Sequence, residues 1–238
     1  MITIPMFSGV EGSLLTRDRW NLILSDATKT LTMLGDECVS LVVTDPAYES
    51  LEKHRKIGTT TRLKADWFDV VPNSYFPRFF AECYRVLAPN SHLYFICDSE
   101  TMFAVKPMAE AAGFKFWKPI VWSKVTMGMG YHYRASCEFV LFFEKGKRRL
   151  SDMGVKDVLE IDEVISCPRV NGYPTEKPVE LSRILIRQSA APGGIVVDPF
   201  CGSGSVGEAA LLEGRRFFGS DLSPRAIEVA SKRLGSVP

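Results

Sequence analysis

One segment of the chain combines an apolar run, a glycine turn and a helix-forming stretch, an order that brings backbone close to a ligand. The segment is IVVDPFCGSGSVG, residues 195–207, in which Asp198 ends the apolar run. Its glycines are Gly202, Gly204 and Gly207. With Asp221 about 20 residues further on, they match the G-x-G-x-x-G pattern of a dinucleotide site. However, a carboxylate at Asp198 would repel a pyrophosphate and attract a cation instead.

S-adenosylmethionine meets this requirement, because it carries an ammonium and a sulfonium, has no phosphate, and offers ribose hydroxyls to an acidic acceptor. Asp221 ends the predicted strand RRFFGSD and can be that acceptor. The glycines would let the backbone approach the ligand closely. The alternative is a tight turn without a ligand, which would leave the acids at the ends of both strands unexplained.

A second apolar run, LVVTDPAY at residues 41–48, also ends in an Asp-Pro turn. Pro46 has a fixed φ, so its carbonyl and the Asp45 carboxylate can be held as two acceptors converging on one point. Two acceptors suit an exocyclic base amine, whose lone pair must be drawn out of the ring before it can attack. Tyr48 could stack on the base. On its own, D-P-x-Y is also a common turn at the end of a strand.

The elements that must position these turns follow an α/β pattern, since short apolar runs alternate with longer amphipathic stretches. We predict strands at residues 21–24, 41–44, 93–97, 116–122, 139–143, 195–197 and 216–219. Apolar residues at helical spacing are Phe76, Phe79, Phe80, Cys83 and Leu87, then Leu181, Ile184 and Leu185 with Gln188. Helices are expected to start at Pro178 and, behind a Ser223 cap, at Pro224. Residues 49–73 and 144–172 are expected to lack regular structure.

Together the motifs resemble the amino-methylating DNA methyltransferases that act on adenine N6 or cytosine N4. TDPAY is similar to the catalytic D-P-P-Y of that family, DPFCGSGS to its cofactor loop, and YPTEKP to its H-P-T-x-K-P segment. RVLAPNSHLYFICD, VWSK, RASCEFVLFFEKG and FFGSDLSP resemble further parts of it. The catalytic segment precedes the cofactor loop, as in the circularly permuted β class. The resemblance covers most of residues 21–234, and it implies one Rossmann-like domain over residues 1–238, with a mixed sheet of about seven strands and helices on both faces.

The resemblance also assigns individual residues. It places the target base at Asp45, Pro46 and Tyr48. It places the cofactor at Asp198, Phe200, Gly202, Gly204, Asp221, Thr175 and Lys177, with Asp26 as a further candidate or a solvated turn acid. Two positions depart from the family, because Ala47 replaces the second Pro and Tyr173 replaces the usual His.

Recognition of DNA must involve a limited part of the chain. The candidate recognition region, residues 144–172, is short for the class, so the basic loop at 49–73 is expected to share the task. Its cations Lys53, Arg55, Lys56, Arg62 and Lys64 could contact phosphates. A solvated charged loop is the alternative. His132 and Arg134 could also face DNA or the base pocket.

We therefore expect methyl transfer from S-adenosylmethionine to N6 of an adenine flipped out of duplex DNA. The first residue of the catalytic tetrapeptide is Asp, which is more typical of the adenine enzymes than of the cytosine enzymes. Alternatives are a cytosine-N4 DNA methyltransferase, an RNA or protein amide methyltransferase, a dehydrogenase and a non-catalytic DNA-binding module.

Composition excludes several other classes. The chain has 29 Lys and Arg against 28 Asp and Glu, so overall charge cannot attract a polyanion. Six cysteines and three histidines are scattered, which predicts neither a metal site nor a disulfide framework. No apolar run approaches the roughly 18 residues of a membrane helix, and no signal peptide is evident. We expect a cytoplasmic protein of a bacterium, or of a phage acting in one. Dimers occur in the resembled class, so a homodimer is kept as an alternative. The sequence does not identify a restriction endonuclease partner.

Overall fold

A single mixed sheet forms the centre of the computed structural model, which describes residues 14–52, 69–124, 127–128, 132–161 and 176–238. The strands within these ranges are β1 Leu14–Thr16, β2 Trp20–Leu24, β3 Val39–Thr44, β4 Leu87–Cys97, β5 Lys115–Ser123, β6 Cys137–Lys145, β7 Val158–Glu160, β8 Ile195–Asp198 and β9 Arg216–Asp221. Their spatial order is β1-β2-β9-β8-β3-β4-β6-β5-β7. Strand β6 is antiparallel to both of its neighbours, and β1 is antiparallel to β2.

All seven predicted strands are present, and the predicted α/β class is confirmed. The two additional strands, β1 and β7, lie at the edges of the sheet and have only three residues each. Strand β7 corrects one expectation, because it lies inside the segment 144–172 that was expected to lack regular structure. Residues Glu144 and Lys145 of that segment also belong to β6. Val158 pairs with Val121 of β5, which explains why so short a strand forms there.

Within the described ranges, six α-helices connect the strands. They are α1 Ala27–Thr32, α2 Phe76–Val86, α3 Ser99–Ala111, α4 Val179–Ser189, α5 Ser205–Leu212 and α6 Pro224–Gly235. Helix α6 begins at Pro224 as predicted, with the Ser223 hydroxyl accepting a hydrogen bond from the Ala226 amide. Helix α4 begins one residue later than predicted, because Pro178 is its extended N-cap. Leu87 does not continue α2, since its backbone is extended and it opens β4.

The core consists of two apolar layers, one on each face of the sheet. Helices α1, α2 and α3 pack on one face, and α4, α5 and α6 pack on the other. Alternation along the later part of β3 serves both layers, because Val42 points to the first while Leu41 and Val43 point to the second. The predicted helices on both faces are thus confirmed. Among the residues described, no helix is long and apolar enough to cross a membrane.

Strand direction brings the chemistry to one edge of the sheet. Strands β2, β9, β8, β3 and β4 run parallel to one another, so their carboxyl ends share an edge. Each of these strands ends in or near an acid, namely Asp26, Asp221, Asp198, Asp45 and Asp98. The amino end of the antiparallel strand β6 lies at the same edge. In open α/β sheets this edge is where ligands bind.

Candidate active site

The two Asp-Pro turns meet because their strands are neighbours in the sheet. Val42 of β3 pairs with Val197 of β8, so each strand ends beside the other. The Thr44 hydroxyl donates a 2.9 Å hydrogen bond to Oδ1 of Asp198. This bond joins the catalytic turn predicted at Asp45 to the predicted cofactor loop. The structure therefore places both predicted sites in one continuous site.

The glycine loop after β8 is held against the end of β9. The Gly202 amide donates to Asp221 Oδ2 at 3.0 Å, and the Ser223 amide donates to Oδ1 of the same carboxylate at 2.9 Å. Gly204 has φ +80°, and a Cβ there would also approach Ala230 of α6 to 3.0 Å. Glycine is therefore required for the turn that starts α5. The carboxylate of Asp221 retains lone pairs that could accept from hydroxyl groups.

Asp198 is buried beneath this loop, and burial raises its pKa to about 8. Hydrogen bonds from Thr44 and from the Phe200 amide lower the pKa, while the nearby charges of Asp45 and Asp221 raise it. Both hydrogen bonds go to Oδ1, so Oδ2 accepts none from the part of the chain described. A buried acid with one free oxygen fits a cationic ligand such as the ammonium of S-adenosylmethionine, since the cation would restore the ionised form.

Phe200 and Asp26 lie on the side of the site formed by α1 and α2. The Phe200 ring lies 5.5 Å from that of Phe79 and 6.3 Å from that of Tyr75, measured between centroids. Asp26 caps α1 by accepting from the Lys29 amide at 3.0 Å, and its other oxygen accepts from the Tyr75 hydroxyl at 2.8 Å. Asp26 therefore has a structural role at this edge. Tyr75 was not predicted as a site residue.

Asp45 lies in a chain of alternating charges. The Lys177 ammonium is 2.5 Å from Asp45 Oδ2 and 3.4 Å from Glu138 Oε2. The other oxygen of Glu138 is paired with the ammonium of Lys124. Burial raises the pKa of Asp45 to about 6, with Lys177 opposing the shift and Glu138 adding to it. The pKa of Lys177 is also raised, because its two carboxylate neighbours outweigh its burial.

The rest of the catalytic turn is held from the side of α2. Tyr48 is only 8% exposed and forms an isolated parallel bridge with Val71, whose amide donates to the Ala47 carbonyl at 2.7 Å. This bond supports the turn at the position where the family usually has a second proline. Burial raises the pKa of Tyr48, so its hydroxyl stays protonated. Stacking of Tyr48 on a base stays a prediction.

Three residues of this site were not predicted from the sequence, and six predicted residues lie outside the described ranges. The missed residues are Tyr75, Lys124 and Glu138. Lys124 follows β5 and Glu138 is the second residue of β6, and both reach the ligand edge only because these strands run in opposite directions, which no residue type indicates. The predicted residues outside the described ranges are Thr175, Lys53, Arg55, Lys56, Arg62 and Lys64. Lys177 was predicted to contact the cofactor, but its ammonium lies on Asp45.

Comparison with known proteins places this site in a defined family. The family described as DNA methylase, comprising N6 and N4 methyltransferases, matches residues 39–232. The chain is 27% identical to the DNA adenine methyltransferase YhdJ of Escherichia coli K12, covering 96% of the chain and 87% of that protein. It is 26% identical to the Type II methyltransferase M2.DpnII of Streptococcus pneumoniae, covering 94% of the chain and 94% of that protein.

Solved structures show the same fold. The complex of M1.HpyAVI with S-adenosylmethionine superimposes with a TM-score of 0.68 at 23% identity, covering 90% of the chain and 98% of that structure. The cytosine-N4-specific PvuII DNA methyltransferase superimposes with a TM-score of 0.72 at 16% identity, covering 92% of the chain and 87% of that structure. The family resemblance inferred from the sequence is confirmed. The family match includes both Asp-Pro turns, and the chain belongs to the DNA methylase family, whose S-adenosylmethionine-dependent members methylate adenine N6 or cytosine N4.

Proposed function

We propose that the protein transfers a methyl group to N6 of an adenine that is flipped out of duplex DNA. The observation that supports this proposal is the hydrogen bond from Thr44, the residue before Asp45, to Asp198, since it joins the proposed amine acceptor to the acid proposed to bind the cofactor. The preference for adenine rests on Asp45 at the start of the tetrapeptide and on similarity to a relative named as a DNA adenine methyltransferase. Cytosine N4 is the alternative, since the PvuII enzyme shares the fold.

In this proposal Asp45 and Pro46 orient the target amine. Their oxygens accept hydrogen bonds from the amine N–H groups, which draws the nitrogen lone pair out of conjugation with the ring. Tyr48 packs beside the base. Bound S-adenosylmethionine supplies an electrophilic methyl group. The protein contributes mainly by holding the reacting atoms in line and excluding water. Base flipping is needed because the amine is otherwise engaged in pairing.

The proposed cofactor contacts follow from the acids and the backbone. Asp198 would pair with the ammonium group, and Asp221 would accept from the ribose hydroxyls. The loop glycines Gly202 and Gly204 would let the backbone approach the ligand. Phe200 would pack against the ligand, and Thr175 remains a proposed contact from the YPTEKP segment. We assign Lys177 to the base side of the site instead, because of its contact with Asp45.

We also propose that residues 1–238 form one methyltransferase domain acting on DNA in a bacterial cytoplasm. The segment 49–73 would be a basic insertion, and residues 144–172 would form the recognition region, in which β7 lies and of which residues 162–172 fall outside the described ranges. Exposed side chains near the ligand edge include Met127, Tyr133 and Arg134, which lie between β5 and β6. These three could contact the same duplex.

Reversing the charges of Arg55 and Lys56 to glutamate should weaken binding to duplex DNA and flatten its salt dependence. Each lost phosphate contact removes about 0.9 from the slope of log K against log salt concentration. Fluorescence anisotropy with a labelled duplex at several salt concentrations would measure this slope. Lys232→Glu is the matched control, because Lys232 is exposed in the last turn of α6, away from the ligand edge. An unchanged slope in the double variant would show a solvated loop without a role in binding.

The proposed function is tested by offering labelled S-adenosylmethionine together with separate acceptors. Duplex DNA should become labelled, while RNA and protein should not. Labelling of RNA or of protein alone would contradict the proposal and favour an amide or RNA methyltransferase. Binding of a nicotinamide cofactor instead would favour a dehydrogenase.

A further inference from the structure

Glu138 is an acid at the reaction centre that the proposed transfer does not use. It is the second residue of β6, and one of its oxygens, Oε1, is paired with Lys124. Its other oxygen, Oε2, is buried and accepts no hydrogen bond from the described residues. Its contact with the Lys177 ammonium, at 3.4 Å, is longer than a charge-assisted hydrogen bond of about 2.7 to 2.9 Å, so this oxygen can still accept a closer donor.

Lys177 lies between this oxygen of Glu138 and the carboxylate of Asp45. Its ammonium is 2.5 Å from Asp45 Oδ2 and 3.4 Å from Glu138 Oε2. In this arrangement Lys177 holds an oxygen that a target amine also needs. The ammonium is the stronger competitor for the carboxylate, because it adds the attraction between two opposite charges, whereas the target amine is neutral. The amine must therefore displace Lys177 or share Asp45 with it.

We propose that Glu138 is a positioning residue that accepts the Lys177 ammonium when the target amine binds Asp45. Shortening the Lys177–Glu138 distance from 3.4 Å to a charge-assisted hydrogen bond of about 2.8 Å needs a shift of about 0.6 Å. Lys177 then stays paired throughout, so the exchange leaves no uncompensated buried charge. The inference rests on the proposed function of Asp45 as the acceptor of the amine.

The charges around Asp45 predict opposite shifts of the pH–rate profile for two variants, and these shifts test the inference. Asp45 is faced by Lys177 from the segment before α4, Glu138 from β6, Lys124 from the segment after β5 and Asp198 from β8. Glu138 raises the pKa of Asp45, whereas Lys177 lowers it. If transfer requires ionised Asp45, the rate falls as pH drops through the pKa of Asp45. This fall is the acid limb of the pH–rate profile. Glu138→Gln should therefore move the acid limb to lower pH, and Lys177→Met should move it to higher pH.

The experiment is single-turnover methylation of duplex DNA at saturating S-adenosylmethionine, from about pH 5 to about pH 9. Glu138→Gln should lower the rate constant at least about tenfold with an unchanged dissociation constant for the cofactor. Above the pH range in which Asp45 ionises, Glu138→Gln should add no further loss of rate in a Lys177→Met background, because there the proposed role of Glu138 is to hold Lys177. Glu144→Gln is the matched control, since Glu144 is also a buried acid on the same face of β6 but lies at the opposite end.

Several results would overturn the inference. The first is a rate constant and an acid limb in Glu138→Gln that equal those of the wild type. The second is a shift of the acid limb in the same direction in Glu138→Gln and Lys177→Met. The third is a loss of rate in the double variant that equals the sum of the two single losses. Should Glu138→Gln fail to fold, Glu138→Asp replaces it, since it keeps the charge but retracts the carboxylate. That variant should lose rate while its acid limb stays in place, and a wild-type rate would refute the inference. Absence of transfer by the wild-type protein would instead refute the proposed function.

Discussion

Replacing Asp45 with alanine should reduce methyl transfer to duplex DNA by about three orders of magnitude and leave cofactor binding intact. The loss is large because Asp45 is proposed to orient the amine at the moment of attack. The fold should survive, since Lys177 would still have Glu138 at 3.4 Å as a partner for its charge. Transfer would be measured by single-turnover kinetics, and cofactor binding by titration calorimetry.

Asp98→Asn is the matched control for Asp45→Ala. Asp98 directly follows the neighbouring strand β4, where it caps α3 by accepting from the Thr101 amide and also accepts from the Ser50 hydroxyl. Asparagine also caps helices well, so this variant should keep most of its activity. Turnover by Asp45→Ala near the wild-type rate would contradict the assignment of Asp45 as the amine acceptor.

Replacing Asp198 with alanine should weaken binding of S-adenosylmethionine about 100-fold, because a charge-assisted contact to a buried acid is lost. Part of the transfer rate should return at saturating cofactor, since the amine acceptor at Asp45 is untouched. The dissociation constant would be measured by calorimetry. An unchanged constant would remove Asp198 from the cofactor site.

The raised pKa of Asp198 adds a pH dependence to this second prediction. Since that pKa is about 8, wild-type affinity should rise as pH increases towards 8 and ionises the acid. Asp198→Asn should lack this rise in affinity. Ionisation of S-adenosylmethionine affects both proteins equally, so it does not change the comparison. In the unfolded chain the acid ionises near its ordinary value, so the ligand-free folded protein loses stability as pH rises from that value through 8. Asp198→Asn should therefore melt at a higher temperature than the wild type above pH 8, which separates weak binding from unfolding.

The sequence predicted the longer elements because their patterns span enough residues. Phe76, Phe79, Phe80 and Cys83 are fully buried on α2, as their helical spacing indicated. Strands β1 and β7 escaped prediction because three residues are too few to display an alternating pattern. Leu87 continues the apolar spacing of α2, yet the extended backbone there starts β4. The boundary between α2 and β4 depends on pairing of Leu87 with Val39 of β3, which the spacing of apolar residues does not reveal.

The site was predictable where chemistry is local and less so where it depends on strand pairing. Asp45 and Asp198 stand out because each follows an apolar run and precedes proline. Their meeting required only that β3 and β8 be neighbours, which the structure bears out. Glu138 reaches the same edge only because β6 runs antiparallel to β4, and no residue type in the sequence indicates the direction of that strand. The contact of Lys177 with Asp45 likewise joins distant parts of the chain.

The most direct test of the account identifies the base that becomes methylated. The purified protein would be incubated with unmethylated duplex DNA and labelled S-adenosylmethionine, and the DNA would be digested to nucleosides for mass spectrometry. We expect label in N6-methyladenine, and none when Asp45→Ala is used. Label in N4-methylcytosine would contradict the choice of base, and no label in any nucleoside while the cofactor still binds would contradict DNA as the acceptor.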